Sequence, residues 1–204
     1  MGEERARNLM RRFSGGSDGN EQLTAIVATL LLVLFAIEGA TLLNLDSLLT
    51  MHAFVGMLLI PVVALKVAST GWRMLRYYLR GQEYVRRGPP HVAVRVLIAP
   101  AIVVSTVVLF STGVALLALN RTQGAIVGLH KASFVVWFGA TSLHVITRIF
   151  SLLPILRQRL PGTVVRLGLV AASLGAGLLL ATMTLPAADQ LQDAVSGSVG
   201  IDAH

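Results

Sequence analysis

Five apolar runs constrain this chain more than any motif does. They lie at about residues 23–43, 49–69, 95–119, 125–150 and 164–185. Each is close to or above the ~20 residues that a helix needs to cross a bilayer. The runs are continuous, whereas strands of a membrane barrel alternate apolar and polar residues over about ten positions. The expected fold is therefore all-α, a polytopic membrane protein with five transmembrane helices. Composition agrees: 54% of residues are hydrophobic, 13% are charged and the mean hydropathy is +0.73. A soluble domain carries about 25% charged residues.

Three regions follow. Residues 1–22 are polar, contain Arg5, Arg7, Arg11 and Arg12, and read as a flexible cytoplasmic tail. Residues 23–185 form the membrane domain, with a short turn at 44–47 and basic, proline-marked links on the other side. Residues 186–204 are acidic and rich in small residues, and read as an extracytoplasmic tail. The first apolar run exceeds the ~7–15 residues of a signal core, so it is expected to stay as a span. Arg73, Arg76, Arg80, Arg86, Arg87, Arg95, Arg148, Arg157, Arg159 and Arg166 flank the links on the same side as the N-terminal tail. The positive-inside rule then puts the N-terminus in the cytoplasm and the C-terminus outside. Of 17 basic residues only Lys66 and Lys131 are lysines, a bias that fits a GC-rich bacterial genome and a bacterial cytoplasmic membrane.

Much chemistry is excluded. The net charge of +7 is explained by membrane orientation, so it gives no reason to expect nucleic acid. The chain has no cysteine, which removes disulfides, iron–sulfur clusters and thiolate zinc sites. There is no P-loop, no glycine-rich dinucleotide fingerprint and no Ser-His-Asp grouping. No soluble segment is large enough for NAD or flavin, so redox chemistry would need a partner protein or a quinone.

What remains is a set of polar residues inside the spans. His130 and His144 lie fourteen residues apart on the fourth run. At about 100° per residue they fall within about 40° of one another on one face, about 21 Å apart along the axis. His52 and Lys66 stand on the second run at the same spacing, which runs in the same direction across the membrane. The two pairs match by depth, His52 with His130 near the outer side and Lys66 with His144 near the inner side. One intramembrane histidine can be a hydrogen bond between helices. Four matched positions argue for a shared ligand.

This grid resembles the cytochrome b superfamily of membrane di-haem proteins. There a four-helix bundle clamps two b-type haems between two helices, each with two histidines separated by thirteen residues. The resemblance covers the first four spans, which it implies form the haem-binding bundle; the fifth span and the tail lie outside it. It implies that His52 and His130 are axial ligands of an outer haem b. Lys66 stands where the pattern has histidine. Three readings apply at the inner level: Lys66 ligates iron opposite His144, pairs with a propionate or a quinone oxygen, or snorkels to the interface with no second haem there. Cofactors implied are one or two haem b groups and a quinone.

Gly56, Gly113 and Gly139, with Gly128, are candidates for letting a porphyrin approach the backbone. Lys131 or Arg121 can meet outer propionates, and Arg73 and Arg148 inner ones. Glu38 is either a proton carrier or quinone contact, or a paired structural acid. Trp72 suits the interfacial belt, whereas Trp137 is mid-span packing. His91 and His204 need no role, and the RRGPPH loop at 86–91 needs none beyond orientation. The functional expectation is electron transfer across the membrane, between an extracytoplasmic partner and a quinone or another redox partner protein, by a subunit rather than a self-contained enzyme. A quinone-linked oxidoreductase component is the enzymatic variant. The alternative is a haem-free scaffold or transporter subunit that uses the histidines as helix contacts or proton relays. A homo-oligomer in the lipid bilayer fits either.

Overall fold

The computed structural model of the protein describes residues 16–79 and 97–201. The first fifteen residues, the loop holding Arg86, Arg87 and His91, Arg95 at the start of the third run, and His204 lie outside them. The described chain contains helices α1 (Gly16–Thr41), α2 (Leu45–Tyr78), α3 (Ala99–Leu119), α4 (Ala125–Leu156) and α5 (Thr163–Ile201).

Among the described residues, four continuous stretches are long and apolar enough to cross a membrane. The first, Gly16–Arg76, has 61 residues. Straight, it would reach roughly 92 Å, three times the ~30 Å hydrocarbon core. It is instead a hairpin: a 3-10 turn at Leu42–Asn44 joins α1 to α2, and non-helical backbone at Leu48 completes the reversal. The break expected at 44–47 is thus helical for most of its length. The Thr41 hydroxyl donates to the Glu38 carbonyl and the Ser47 hydroxyl to the Asn44 carbonyl, so the turn satisfies its own backbone acceptors.

The other helix ends also extend past the sequence expectation. Helix α1 begins at Gly16, inside the expected tail. The Asn20 amide donates to the Ser69 carbonyl on α2, and the Gln22 amide to the Gln158 carbonyl beyond α4. Helix α4 runs through Pro154 to Leu156, past the boundary expected at 150. Proline there leaves the Phe150 carbonyl without its usual i+4 amide, and the helix ends two residues later. Helix α5 continues through Pro186 to Ile201, where a tail was expected. Tertiary bonds hold that extension. Gln192 Oε1 accepts from the Leu49 and Thr50 amides, the Gln192 amide donates to the Asp46 carbonyl, and the Thr50 hydroxyl meets Ala188 and Asp189. These amides belong to the open first turn of α2, which needs acceptors from elsewhere.

Local chemistry sets the remaining turns. Helix α3 has Pro100 in its first turn and ends on Asn120 in the left-handed region, with φ 47°. Gly124 at φ 99° and Gly162 at φ 83° precede α4 and α5. Arg166, expected only as a flanking cation, is 3% exposed and donates to the Leu160 and Pro161 carbonyls and the Thr163 hydroxyl. It ties the α4–α5 link together.

The helices alternate in direction. Helix α5 packs most extensively on α2, α3 on α4, and α1 on α2, while α1 meets α4 over a shorter stretch. One core joins Leu23, Val27 and Leu31 to Val55, Leu59, Val62 and Val170. Small residues bring α5 close to α2: Ala181 and Ala188 are buried, and a Cβ on Gly177 would stand 2.3 Å from the Leu58 carbonyl oxygen. Outward faces are apolar, with Leu129 and Phe150 exposed on α4. Gly177→Val should cost about 1–3 kcal/mol by overpacking, read as an earlier unfolding midpoint in detergent. Gly175→Val, where a Cβ meets nothing within 4 Å, should stay within about 0.5 kcal/mol.

Candidate functional site

Alternating helices bring the C-terminal ends of α1 and α3 to the N-terminal ends of α2 and α4. His52, on the second turn of α2, and His130, on the second turn of α4, meet there. Their ring centroids are 6.4 Å apart and their planes are at 88°. Both rings are half-buried.

The hydroxyls beside them decide which nitrogen carries the proton. Thr41 donates its hydroxyl proton to the Glu38 carbonyl at 2.6 Å, leaving Oγ1 as an acceptor toward His52 Nδ1 at 3.0 Å. The Glu38 carboxyl Oε1 lies 3.0 Å from the same Nδ1. With the Thr41 hydroxyl oxygen accepting, His52 is a donor at Nδ1, beside a carboxyl oxygen. Thr112 likewise donates to the Val108 and Leu109 carbonyls, at 2.7 and 3.0 Å. Its Oγ1 faces His130 Nδ1 at 3.0 Å, and the Leu109 carbonyl oxygen lies 3.1 Å from that nitrogen. His130 is also a donor at Nδ1. A neutral imidazole with its proton on Nδ1 has a lone pair on Nε2. Among the described residues neither Nε2 has a protein partner.

Metal-ligating histidines are held in this way, with the other ring N–H on a carboxylate, a carbonyl or similar acceptor. Metal–imidazole bonds of about 2.0–2.1 Å, with about 1.1 Å from nitrogen to ring centre, put two trans imidazoles about 6.3 Å apart. The observed centroid separation is 6.4 Å. Two nitrogens fill only two positions of an octahedral ion. Among the described residues no three His, Cys, Asp or Glu side chains converge on a bare-ion site. A metal held here would bring its other donors with it.

There is room for such a group. His52 and His130 line a cavity of about 910 Å³ between α1, α2, α3 and α4, with Leu191 and Val195 of α5 at its edge. This is large for a ligand pocket, where ~300–1,000 Å³ is usual. Its walls are apolar and aromatic, including Phe35, Phe110, Phe134 and Phe138. Trp137 packs edge-on against Phe35 with centroids 4.7 Å apart, so it is core packing at the cavity wall. Arg121 and Lys131 are the cations that line the cavity, and both are exposed. Two buried polar atoms in its lining, Glu38 Oε2 and Thr141 Oγ1, have no partner among the described residues.

The glycines divide. A Cβ on Gly113 would lie 3.2 Å from His130 Cε1, so its absence seats that ring. Gly56 lines the cavity under Glu38, where a Cβ would be 3.5 Å from Oε1. Gly139 and Gly128 meet nothing within 4 Å and are not part of the lining.

The second level of the grid differs. Lys66 turns to α1 and donates to the Thr24 carbonyl at 2.8 Å. Thr24, Asn20 and Ser69 complete a polar lattice around it. The His144 ring has no hydrogen-bond partner among the described residues, and it does not line the cavity. Arg73 and Arg148 are exposed and lie away from the cavity lining. The structure thus brings the His52 and His130 rings together, while Lys66 and His144 lie within electrostatic range of one another with no hydrogen bond between them.

Sequence reading missed Thr41 and Thr112. The available signal was spacing: Thr41 follows Glu38 by three residues, and Thr112 precedes Gly113. Comparison with known proteins adds no relative: no family model, curated protein or solved structure matches the chain. Gly113→Val should push the His130 ring off the Leu109 carbonyl. In histidine-labelled, haem-free protein its Nδ1–H signature in 15N NMR should be lost, while Gly139→Val should leave it in place.

Proposed function

We propose that this protein is a b-type membrane cytochrome that carries electrons across the bilayer, with one haem between His52 and His130. The observation that supports this best is the facing of the two histidine rings across the cavity. Their centroids are 6.4 Å apart and each Nδ1 stands against protein oxygens, which leaves Nε2 as the nitrogen that would meet a ligand. The donor set also suits iron, since imidazoles are standard haem ligands. Two buried polar atoms of the lining, Glu38 Oε2 and Thr141 Oγ1, lack partners among the described residues, which suits a group with its own edge chemistry.

In this reading His52 and His130 would hold the iron of the group. When bound, a haem would supply a one-electron carrier. Arg121 and Lys131 neutralise carboxylate groups at the cavity mouth. Phe35, Phe134 and Trp137 keep water from the apolar end. Lys66 holds α1 to α2, so the reading has one haem rather than two. The 61-residue hairpin crosses twice, giving five spans, with the N-terminus in the cytoplasm and the haem near the outer face of a bacterial membrane. The electron partners are an extracytoplasmic protein on that side and a quinone or a second protein toward the other.

Protein purified in detergent after haem supply should contain one haem b per chain, by the pyridine haemochrome assay and reduced-minus-oxidised spectra. His52→Ala and His130→Ala should remove it, while Lys66→Ala and His144→Ala should retain it. A well-folded preparation with no b-type absorption rejects the reading in favour of a haem-free membrane protein. Two haems falling to one in Lys66→Ala would place a second haem at the inner level. Because the chain has no cysteine, single cysteines introduced at Arg121 and Arg157 test topology cleanly. Membrane-impermeant thiol reagents applied outside should label the first and spare the second.

A further inference from the structure

The cavity continues well past the two histidines. Along α4 its lining runs from Val127 to Ile146. Ile146 stands about 24 Å of helix rise beyond His130, and Thr141 about 16 Å. Leu32 and Phe35 of α1 and Ile60 of α2 wall this inner part. We propose that the inner chamber binds a flat, neutral, lipid-soluble molecule, with the Thr141 hydroxyl on a carbonyl oxygen of that ligand. The site stands independently of the haem reading above.

Hydroxyls elsewhere in the spans bond back to their own helix, as those of Thr29, Ser105, Thr147 and Ser173 do. Thr141 does not: its Oγ1 is buried with no partner among the described residues. Ser142 beside it also lines the cavity and makes no hydrogen bond among them. A hydroxyl left unpaired away from water is unfavourable, and an oxygen brought by a ligand would satisfy it. Rotation about χ1 exchanges the threonine hydroxyl with its methyl, so the oxygen can face the chamber that the residue lines. The charged residues of the lining are Glu38, Asp46, Arg121 and Lys131, all at the outer end. An ionic ligand would find no counter-charge at Thr141. In the haem reading carboxylates are drawn to Arg121 and Lys131, which leaves Thr141 to another molecule. Phe35, Trp137 and Phe138 present aromatic walls, which favour a flat ring. Val135 and Ile146 line the cavity and are each 68% exposed, so its α4 wall opens sideways onto the hydrocarbon. A molecule dissolved in the bilayer enters there without crossing a polar layer. Quinones have this chemistry, and under the haem reading the site would select a quinone over a second protein as the inner electron partner.

The test is photolabelling of the full-length protein in lipid nanodiscs with azido-menadione, a naphthoquinone, read by peptide mapping. Label should map to α4 between Val135 and Ile146 and to α1 between Leu32 and Phe35. Unlabelled menadione should compete. Methylnaphthalene, the same ring system without carbonyl oxygens, should compete about tenfold less well. At sub-saturating probe Thr141→Val should lower the labelling about tenfold, the loss of one hydrogen bond, and Thr141→Ser should restore it. Thr147→Val, where the hydroxyl is bonded to its own helix, should leave it unchanged. Label confined to other segments, or equal labelling of wild type and folded Thr141→Val, overturns the proposal. If Thr141→Val fails to accumulate, equal competition by menadione and methylnaphthalene in wild type overturns it. Wild type that takes the label at α4 but contains no haem rejects the cytochrome reading and supports this site.

Discussion

Inside a hydrocarbon solvent a hydroxyl gives its proton to the nearest helix carbonyl, and the rest of this site depends on that. Water is not there to take it. Thr41 and Thr112 both bond back to their own helices. Their oxygens are then acceptors, and the imidazoles beside them must be donors. The same back-bonding recurs at Ser105, Ser133 and Thr184, where it only satisfies the hydroxyl. At Thr41 and Thr112 it also selects a histidine tautomer. Two unremarkable threonines therefore turn two half-buried rings into a pair with their lone pairs on the far nitrogen.

Holding that pair at 6.4 Å is a packing problem for whole helices. His52 belongs to α2, which α1 grips on one side and α5 on another. The α5 contact is close because Gly177 and Ala181 have almost no side chain to separate the backbones. It is also pinned at the end near the site, where Gln192 accepts from the first amides of α2. His130 belongs to α4, which packs chiefly on α3 and only briefly on α1. The cavity opens where packing is thinnest, between the α1–α2–α5 unit and the α3–α4 pair. A flat ligand clamped by one residue from each unit would supply much of the missing contact between them.

Helical periodicity made half of the site legible in the sequence. Spacing alone puts His52 and His130 at one depth, and the structure brings those rings together. The same spacing matched Lys66 to His144, and these lie within electrostatic range of one another but share no hydrogen bond. Periodicity gives depth and face, but not the neighbour that a long side chain will choose. Lys66 has the reach to turn to Thr24, and that choice depends on the register of α1 against α2. Helix ends were illegible for a related reason. Pro154, Pro186 and the 44–47 segment all carry local signals for stopping a helix. Each is overridden or softened by position in the helix, tertiary hydrogen bonds or a 3-10 turn. Thr41 and Thr112 escaped notice because threonine is ordinary in membrane helices, and only a partner on another helix gives it a role.

The contrast between the two levels of the grid follows from what each position can do without water. An imidazole offers one donor and one acceptor, so a single fixed acceptor at Nδ1 leaves a defined lone pair for a ligand. A lysine ammonium offers three donors and no acceptor. In an apolar interior it must find carbonyl or hydroxyl oxygens, and a helix hairpin supplies them. The Thr24 carbonyl takes one N–H, and the Ser69 and Thr24 hydroxyls tie the adjoining turns of α1 and α2 together. This lattice closes one end of the hairpin, while the 3-10 turn closes the other. The lysine anchor then has a mechanical consequence at the level of His52. Anchored at both ends, α1 keeps Glu38 and Thr41 at fixed distances from His52. Without such anchors a shift of one residue along α1 would carry both acceptors about 1.5 Å along the axis and 100° around it. The proton on His52 Nδ1 would lose its partners, and the tautomer that defines the site would no longer be set.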